Sequence, residues 1–456
     1  KFNEAKKSLK KSLDLEPEKI HRLSTFIIIL QKLSCWDEIE AYKESIYKIG
    51  IEGKAINPMS LLYLEDNPLR ELQRSIKFNN DLSIKISASF DYDKKEKINI
   101  GYFSSDFRNH AVSHLLVRIL ELHDKSKFQI YAYSLSNKND NYTKRIKDAV
   151  FRFRGIYNLS NDEIIKQVRE DKIDIAIDLN GFTNKNRISI FYQRLAPIQI
   201  NYLGYPGSLG SKAYDYIIAD RILIPEENKK FFIEKVIYHP TCFMPHDNTK
   251  KISNKIFTRE ELGLPIDGFV FTCFNAIQKI TRREFNVWMR LLQKVEGSVL
   301  WLMKPHKSSI DNIYHELNRN KIDKEKIIFA ERMNLDQHLS RHSCADLFLD
   351  TFNFNAGTTA ADALWTGLPL ITLIGKSYSA RMAASVLNAC NLNELVTTNV
   401  SDYESLAYEI ATNKDKLNNL RIKIKNNIDC NFFDSEKFTL DLEELYIKAK
   451  ESTANK

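Results

Sequence analysis

Residues 346–372 read DLFLDTFNFNAGTTAADALWTGLPLIT. The run DLFLDTF is short and apolar, as a buried strand is. GTTAADALWTG has the periodicity of a helix, and LPLITLIG is again strand-like. Strand, helix and strand without a hairpin signal point to a parallel sheet with a crossover helix. The helix begins on Gly357, Thr358 and Thr359, directly past the strand end. A helix N-terminus carries unpaired N–H donors and partial positive charge, so it suits a phosphate. Gly357 permits close approach of a ligand to the backbone, and the threonines add hydroxyls. A threonine N-cap on a tightly packed helix, without any ligand, explains the same residues. The pattern GxxxxGK[ST] is absent, so this is not a Walker loop.

The same alternation extends outward. From Ile98, INIGYFSSDF, FQIYAYSLS, IDIAIDLNG, APIQINYLGYPGS, YDYIIAD and KVIYHP read as strands, with helices at VSHLLVRILELHD and IIKQVREDK. After 252–265 the pattern restarts with GFVFTCFN, SVLWLMK and KIIFAER, separated by helices, one of them beginning at Thr281. Two tandem α/β domains are expected, 98–250 and 251–456, joined near Pro245 to Ser253. The final helix, KFTLDLEELYIKAKE, has no strand after it and is expected to brace back across the domains. Residues 1–97 are expected to be helical. KFNEAKKSLKKSLDLEPE puts Phe2, Ala5, Leu9 and Leu13 on one face and stops at Pro17. That pattern resembles the second helix of a tetratricopeptide repeat, and an ordinary amphipathic helix fits it equally. DYDKKEK at 91–97 reads as a surface linker.

Composition sets bounds. At 456 residues, 43% hydrophobic, the chain is long enough for two cores and an appendage. Lys and Arg number 67 against 59 Asp and Glu, a formal charge of +8. Spread over this length, that excess fits a solvated surface better than a polyanion site. No basic stripe with interleaved aromatics suggests nucleic-acid binding. The six cysteines form no CxxC pair and several lie in apolar runs, so reduced thiols in a cytoplasmic protein are expected. The apolar run at 25–30 is too short to span a bilayer, and no membrane partner is expected. No signal peptide is visible ahead of it.

In a doubly wound sheet, ligands bind beyond the carboxyl ends of strands. The candidate stretches are therefore 104–110, 180–183, 203–207, 274–279 and 355–362. They fall into two groups, one per domain, and an interdomain cleft is the economical expectation. Lys279, past a strand end in FNAIQKIT, can neutralise charge on a diphosphate leaving group. A surface lysine in a Lys-rich chain is the plainer alternative. His110, at the mouth of the first sheet, could take a proton or orient a substrate, or could serve structure alone. Asp91 and Asp93 form a DxD string, but in the linker rather than after a strand. No His/Cys spacing resembles a zinc site, and no GxSxG elbow occurs.

SSDFRNHAVSHLL, LNGFTNKNR, RLAPIQINYLGYPGSLG, FNAIQKIT, SVLWLMK, NAGTTAADALWTGLPLIT and SYSARMAAS occur in one order between about 98 and 433. This series resembles the SPINDLY/O-GlcNAc transferase family (glycosyltransferase family 41). The resemblance implies a GT-B fold: two Rossmann-like domains facing a cleft, preceded here by a tetratricopeptide-like helical remnant. It implies inverting transfer of GlcNAc from UDP-GlcNAc to Ser or Thr hydroxyls of a protein or peptide, with no metal and no other cofactor. By motif, His110 matches a histidine near the acceptor and Lys279 the lysine that stabilises the departing diphosphate. Thr358 and Thr359, with Gly357 ahead of them, match the phosphate-binding helix start. Asp362 matches a ribose contact, and His338 and Arg341 match the residues that hold the base. Thr183, Gly204 and Pro206 match positions lining the sugar.

Three positions depart from the pattern of animal members. Gly357 replaces a histidine, Leu335 a lysine and Ala276 a glutamine. They touch the sugar, ribose and diphosphate, so they bear on the donor more than on the fold. Asp362 with His338 and Arg341 favours UDP-GlcNAc over UDP-glucose or the GDP-fucose of the related fucosyl branch. A repeat scaffold with a vestigial transferase is the reading from a different class. With so little repeat present, good donor binding and poor protein modification are expected of this chain.

Overall fold

The computed structural model describes residues 2–16, 20–80, 90 and 95–454. Pro17 and the linker residues Asp91 to Lys94, the DxD string among them, lie outside the described residues. The chain divides into two compact units. The first comprises Asn57–Met59, Pro68–Thr249 and Asp429–Lys456. The second comprises Lys1–Ile56, Ser60–Asn67 and Lys250–Ile428.

The first unit is built on a parallel seven-stranded sheet, order β3-β2-β1-β4-β5-β6-β7. Its strands are β1 Ile98–Ser104, β2 Phe128–Ser134, β3 Arg152–Gly155, β4 Ile175–Asp178, β5 Ile198–Asn201, β6 Tyr216–Ala219 and β7 Lys235–Tyr238. Strands β1, β4 and β5 are buried almost throughout, which is why they read as continuous apolar runs rather than alternating ones. The chain runs outward from β1 to β3, then returns to the other side of β1 as β4. This reversal makes the ends of β1 and β4 the topological switch point.

The second unit repeats the scheme with six parallel strands, order β10-β9-β8-β11-β12-β13. They are β8 Val270–Cys273, β9 Val299–Met303, β10 Ile327–Ala330, β11 Leu347–Leu349, β12 Leu370–Leu373 and β13 Val396–Thr397. Its switch point lies at the ends of β8 and β11. Residues 346–372 hold β11, the helix Thr358–Trp365 and most of β12.

Two allegiances differ from the sequence reading. The helices expected as a separate region, 1–97, are shared out between the units. Helices Phe2–Leu15 and Ile20–Lys32 form a small core around Leu13, Phe26, Ile27 and Leu30, and pack with the second unit. The final helix, Ser435–Ala454, belongs to the first unit rather than to the second. Its Phe438, Leu442, Tyr446 and Ala449 enter the core of the seven-stranded sheet. A buried polar network fixes the dock. Tyr102 Oη lies 2.9 Å from His123 Nε2 and 3.0 Å from Tyr446 Oη, while Glu443 accepts from the Asp124 N–H at 2.8 Å.

After β5 the backbone folds tightly against the end of β4. A Cβ added at Gly204 would lie 1.9 Å from the carbonyl oxygen of Leu179. That oxygen belongs to backbone and cannot swing aside. Gly204→Ala is therefore expected to cost more than about 3 kcal/mol, among the larger single-residue losses. Gly263, at φ +69° with nothing within 4 Å of its Cβ position, is the control. Gly263→Ala should cost only about 1–2 kcal/mol, the ordinary left-handed penalty. Urea midpoints of the two variants check the contrast.

Candidate functional site

In the second unit the sequence-derived residues converge at the switch point. Strand β8 is followed by Phe274 and Asn275, and then by a 3-10 turn, Ile277–Lys279. Strand β11 is followed by Asp350, and the loop runs through Phe354 and Asn355 to the Thr358–Trp365 helix. Asn275 ties the two loops. Its amide donates to Asp350 Oδ1 at 3.0 Å and to Thr351 Oγ1 at 2.9 Å, and its oxygen accepts from Thr359 Oγ1 at 2.6 Å. Lys279 Nζ donates to the carbonyl of Asn355 at 3.0 Å and lies 4.1 Å from the centre of the Phe354 ring. Lys279 and the Thr-Thr pair thus meet at one place.

The helix itself is uncapped by any side chain at Gly357. Its ladder starts with the N–H groups of Ala360 and Ala361, both bonded to the Gly357 carbonyl. The N–H groups of Thr358 and Thr359 precede that ladder and have no helical partner. Lys279 retains some accessible surface, yet the protein packed around its ammonium lowers its pKa to about 8, against the opposing charge of Asp350. Asp350 is buried and its pKa rises to about 6, although Thr372 Oγ1 and the N–H groups of Ala356 and Thr351 donate to it.

Asp362 lies one turn into the helix, buried, in an ion pair with Lys250 at 2.8 Å. A ribose contact would share a carboxylate already engaged. Lys250 carries no sequence signal, since it stands in a lysine-rich linker. His338 and Arg341 also come together, the guanidinium bonding His338 Nδ1. Arg341 is fully buried, 4.9 Å from the centre of the Phe274 ring, and donates to Glu331 O at 2.6 Å. It therefore supports the imidazole rather than presenting its own charge. Burial, with His342 and Arg341 adding to it, lowers the His338 pKa to about 2, so this ring is neutral.

In the first unit, His110 is the N-cap of the helix Ala111–Leu122, and its Nδ1 accepts the Val112 N–H at 3.3 Å. Burial lowers its pKa, against Asp106, so the ring is neutral. With Nδ1 accepting, the ring proton sits on Nε2, which makes the free nitrogen a donor. Accepting a proton would require giving up the cap. Thr183 belongs to a network centred on Asn180, whose amide donates to Ser105 Oγ and Thr183 Oγ1, each at 2.9 Å. Pro206 is buried, and Gly204 serves the close backbone approach described above.

Among the described residues, one group could gather metal ligands: Asp37, His315 and Glu316 of the second unit. Its carboxylates are already held by Arg282 and Arg319, at 2.6–2.7 Å. Guanidinium charge stands where a cation would. No helix among the described residues is long and apolar enough to cross a membrane.

Comparison with known proteins bears on the family and the fold. The model of glycosyl transferase family 41 matches residues 80–255 and 248–442. A relative from Arabidopsis thaliana, named probable UDP-N-acetylglucosamine–peptide N-acetylglucosaminyltransferase SEC, is 31% identical over 92% of this chain and 46% of its own length. A UDP-N-acetylglucosamine–peptide N-acetylglucosaminyltransferase from Caenorhabditis elegans is 26% identical over 78% of this chain and 41% of its own. The chain thus spans less than half the length of these curated relatives. A mutant O-GlcNAc transferase from Thermobaculum terrenum has the same fold, with a TM-score of 0.85 at 22% identity, covering 100% of this chain and 88% of that one. Two Rossmann-like sheets, motifs at both switch points and a family match over most of its length have one conclusion: the chain belongs to glycosyl transferase family 41.

Proposed function

We propose that this chain transfers GlcNAc from UDP-GlcNAc to Ser or Thr hydroxyls of a protein or peptide, with inversion and without a metal. The observation that carries the reading is Lys279 Nζ bonded at Asn355 O, beside the uncapped start of the Thr358–Trp365 helix. In an inverting transfer the acceptor oxygen bonds to the anomeric carbon as the bond to the diphosphate oxygen breaks, and the acceptor's hydroxyl proton is released along with UDP. Negative charge then grows on the leaving phosphate. An ammonium and free helix N–H groups, fixed beforehand in a place poor in water, stabilise that charge without rearranging. This is the work a divalent cation would otherwise do, which supports metal independence.

The remaining assignments follow from the same reading. The neutral His338 ring offers a flat face to a base, oriented by Arg341. His110 acts as a hydrogen-bond donor through Nε2. Six cysteines outside any disulfide, five of them buried, fit a cytoplasmic setting. The names of the relatives favour UDP-GlcNAc. The Gly357, Leu335 and Ala276 departures keep GDP-fucose and UDP-glucose as the donors to test against it.

Titration calorimetry with a chelator present tests the donor. UDP should bind, GDP should bind at least tenfold more weakly, and Lys279→Ala should weaken UDP at least tenfold, about 1.4 kcal/mol. The mass added to an acceptor peptide then identifies the sugar. The pH dependence has a definite sign. Free Lys279 loses its proton as pH rises through about 8. A bound diphosphate favours the ammonium and raises that pKa. UDP affinity should therefore fall above pH 8, and binding there should take up a proton, seen as a heat that varies with the buffer. Lys279→Ala should abolish both effects. GDP binding in place of UDP would move the chain to the fucosyl branch.

A further inference from the structure

The loop that carries Lys279 is held from outside the matched family region. Gln31 lies on the helix Ile20–Lys32 and is 2% exposed. Its carboxamide nitrogen donates to Gln278 O and to Ile280 O, each at 2.9 Å. Those carbonyls flank Lys279 on either side. A carboxamide has two N–H donors, and here both are used on one short turn. Its bonds go to this backbone, while the Lys279 ammonium bonds Asn355 O. Gln31 fixes the backbone from which the Lys279 side chain springs.

A second contact from the same N-terminal segment acts on the ammonium end. The Tyr63 ring stacks on Phe354 at 5.1 Å and 26°. Asn353 Nδ2 donates to the Tyr63 carbonyl at 3.1 Å. Phe354 is the ring against which Lys279 Nζ rests. Gln31, Tyr63, Phe354 and Lys279 all belong to the second unit, while the family match begins only at residue 80.

We propose that Gln31 is a positioning residue for Lys279, so that the N-terminal helical segment is a working part of the donor site and not only an appendage. The inference rests on the donor-site reading above. The turn Ile277–Lys279 is three residues long and has no side-chain cap of its own. Without the Gln31 clamp, the carbonyls of Gln278 and Ile280 would be free to reorient, and the lysine between them likewise.

A double-mutant cycle on UDP affinity tests this, using the full chain and UDP alone. The four proteins are native, Gln31→Leu, Lys279→Ala and the double variant, each checked for folding by circular dichroism. Gln31→Leu should weaken UDP about fivefold when Lys279 is present and less than about twofold when it is absent, the mark of coupled residues. Equal losses in both backgrounds would make Gln31 merely structural and overturn the proposal, as would no loss at all. If Gln31→Leu does not fold, Gln31→Met, unbranched and without donors, takes its place with the same two readings. An unchanged UDP affinity in Lys279→Ala would instead bring down the donor-site reading, and this inference with it.

Discussion

The second unit is organised around a lysine ammonium held where water is scarce. Among the described residues no carboxylate lies within ion-pair distance of Lys279. The group is kept by a carbonyl, an aromatic face and the more distant field of Asp350. Packing alone pulls its pKa to about 8. A carboxylate in contact would hold the charge more cheaply, but would also occupy the lysine. A carbonyl and a ring leave the charge uncompensated, ready for an anion. The neighbouring helix start has the same character, with free N–H groups and no capping side chain.

That arrangement requires the loops after β8 and β11 to stay in register. Asn275 does so by bonding Asp350, Thr351 and Thr359 at once. Asp350 in turn collects donors from β12 and from its own loop. The parallel sheet brings these loops together because β8 and β11 are neighbours across the reversal of strand order. In the first unit Asn180 does the equivalent work, tying the loop after β1 to the loop after β4.

Much of this was legible in the sequence, and the physical reason is local. Continuous apolar runs ending in small or polar residues mark buried parallel strands and their carboxyl ends. The placement of Thr358 and Lys279 past strand ends could be read that way, as could the join near 245–253, which falls at Thr249 and Lys250. Strand β3, RFRG, escaped because an edge strand with arginines has no apolar run. Strand β13 has only two residues. The docking of the first helices also escaped, and the sequence marks the last helix only as a brace across the domains. An amphipathic pattern shows that a face is buried, not what covers it. The Gln31 clamp joins residues 247 and 249 positions apart, and the Lys250–Asp362 pair residues 112 apart. No local pattern encodes such pairs. The tautomer of His110 needed the cap geometry, because position alone cannot assign it.

The most direct test of the account is a crystal structure of the chain with UDP, grown with a chelator. The account requires the β-phosphate at the start of the Thr358–Trp365 helix, within hydrogen-bond reach of the Thr358 or Thr359 N–H and of Lys279 Nζ, with the base against His338. UDP bound elsewhere, or with its diphosphate away from Lys279, would contradict it.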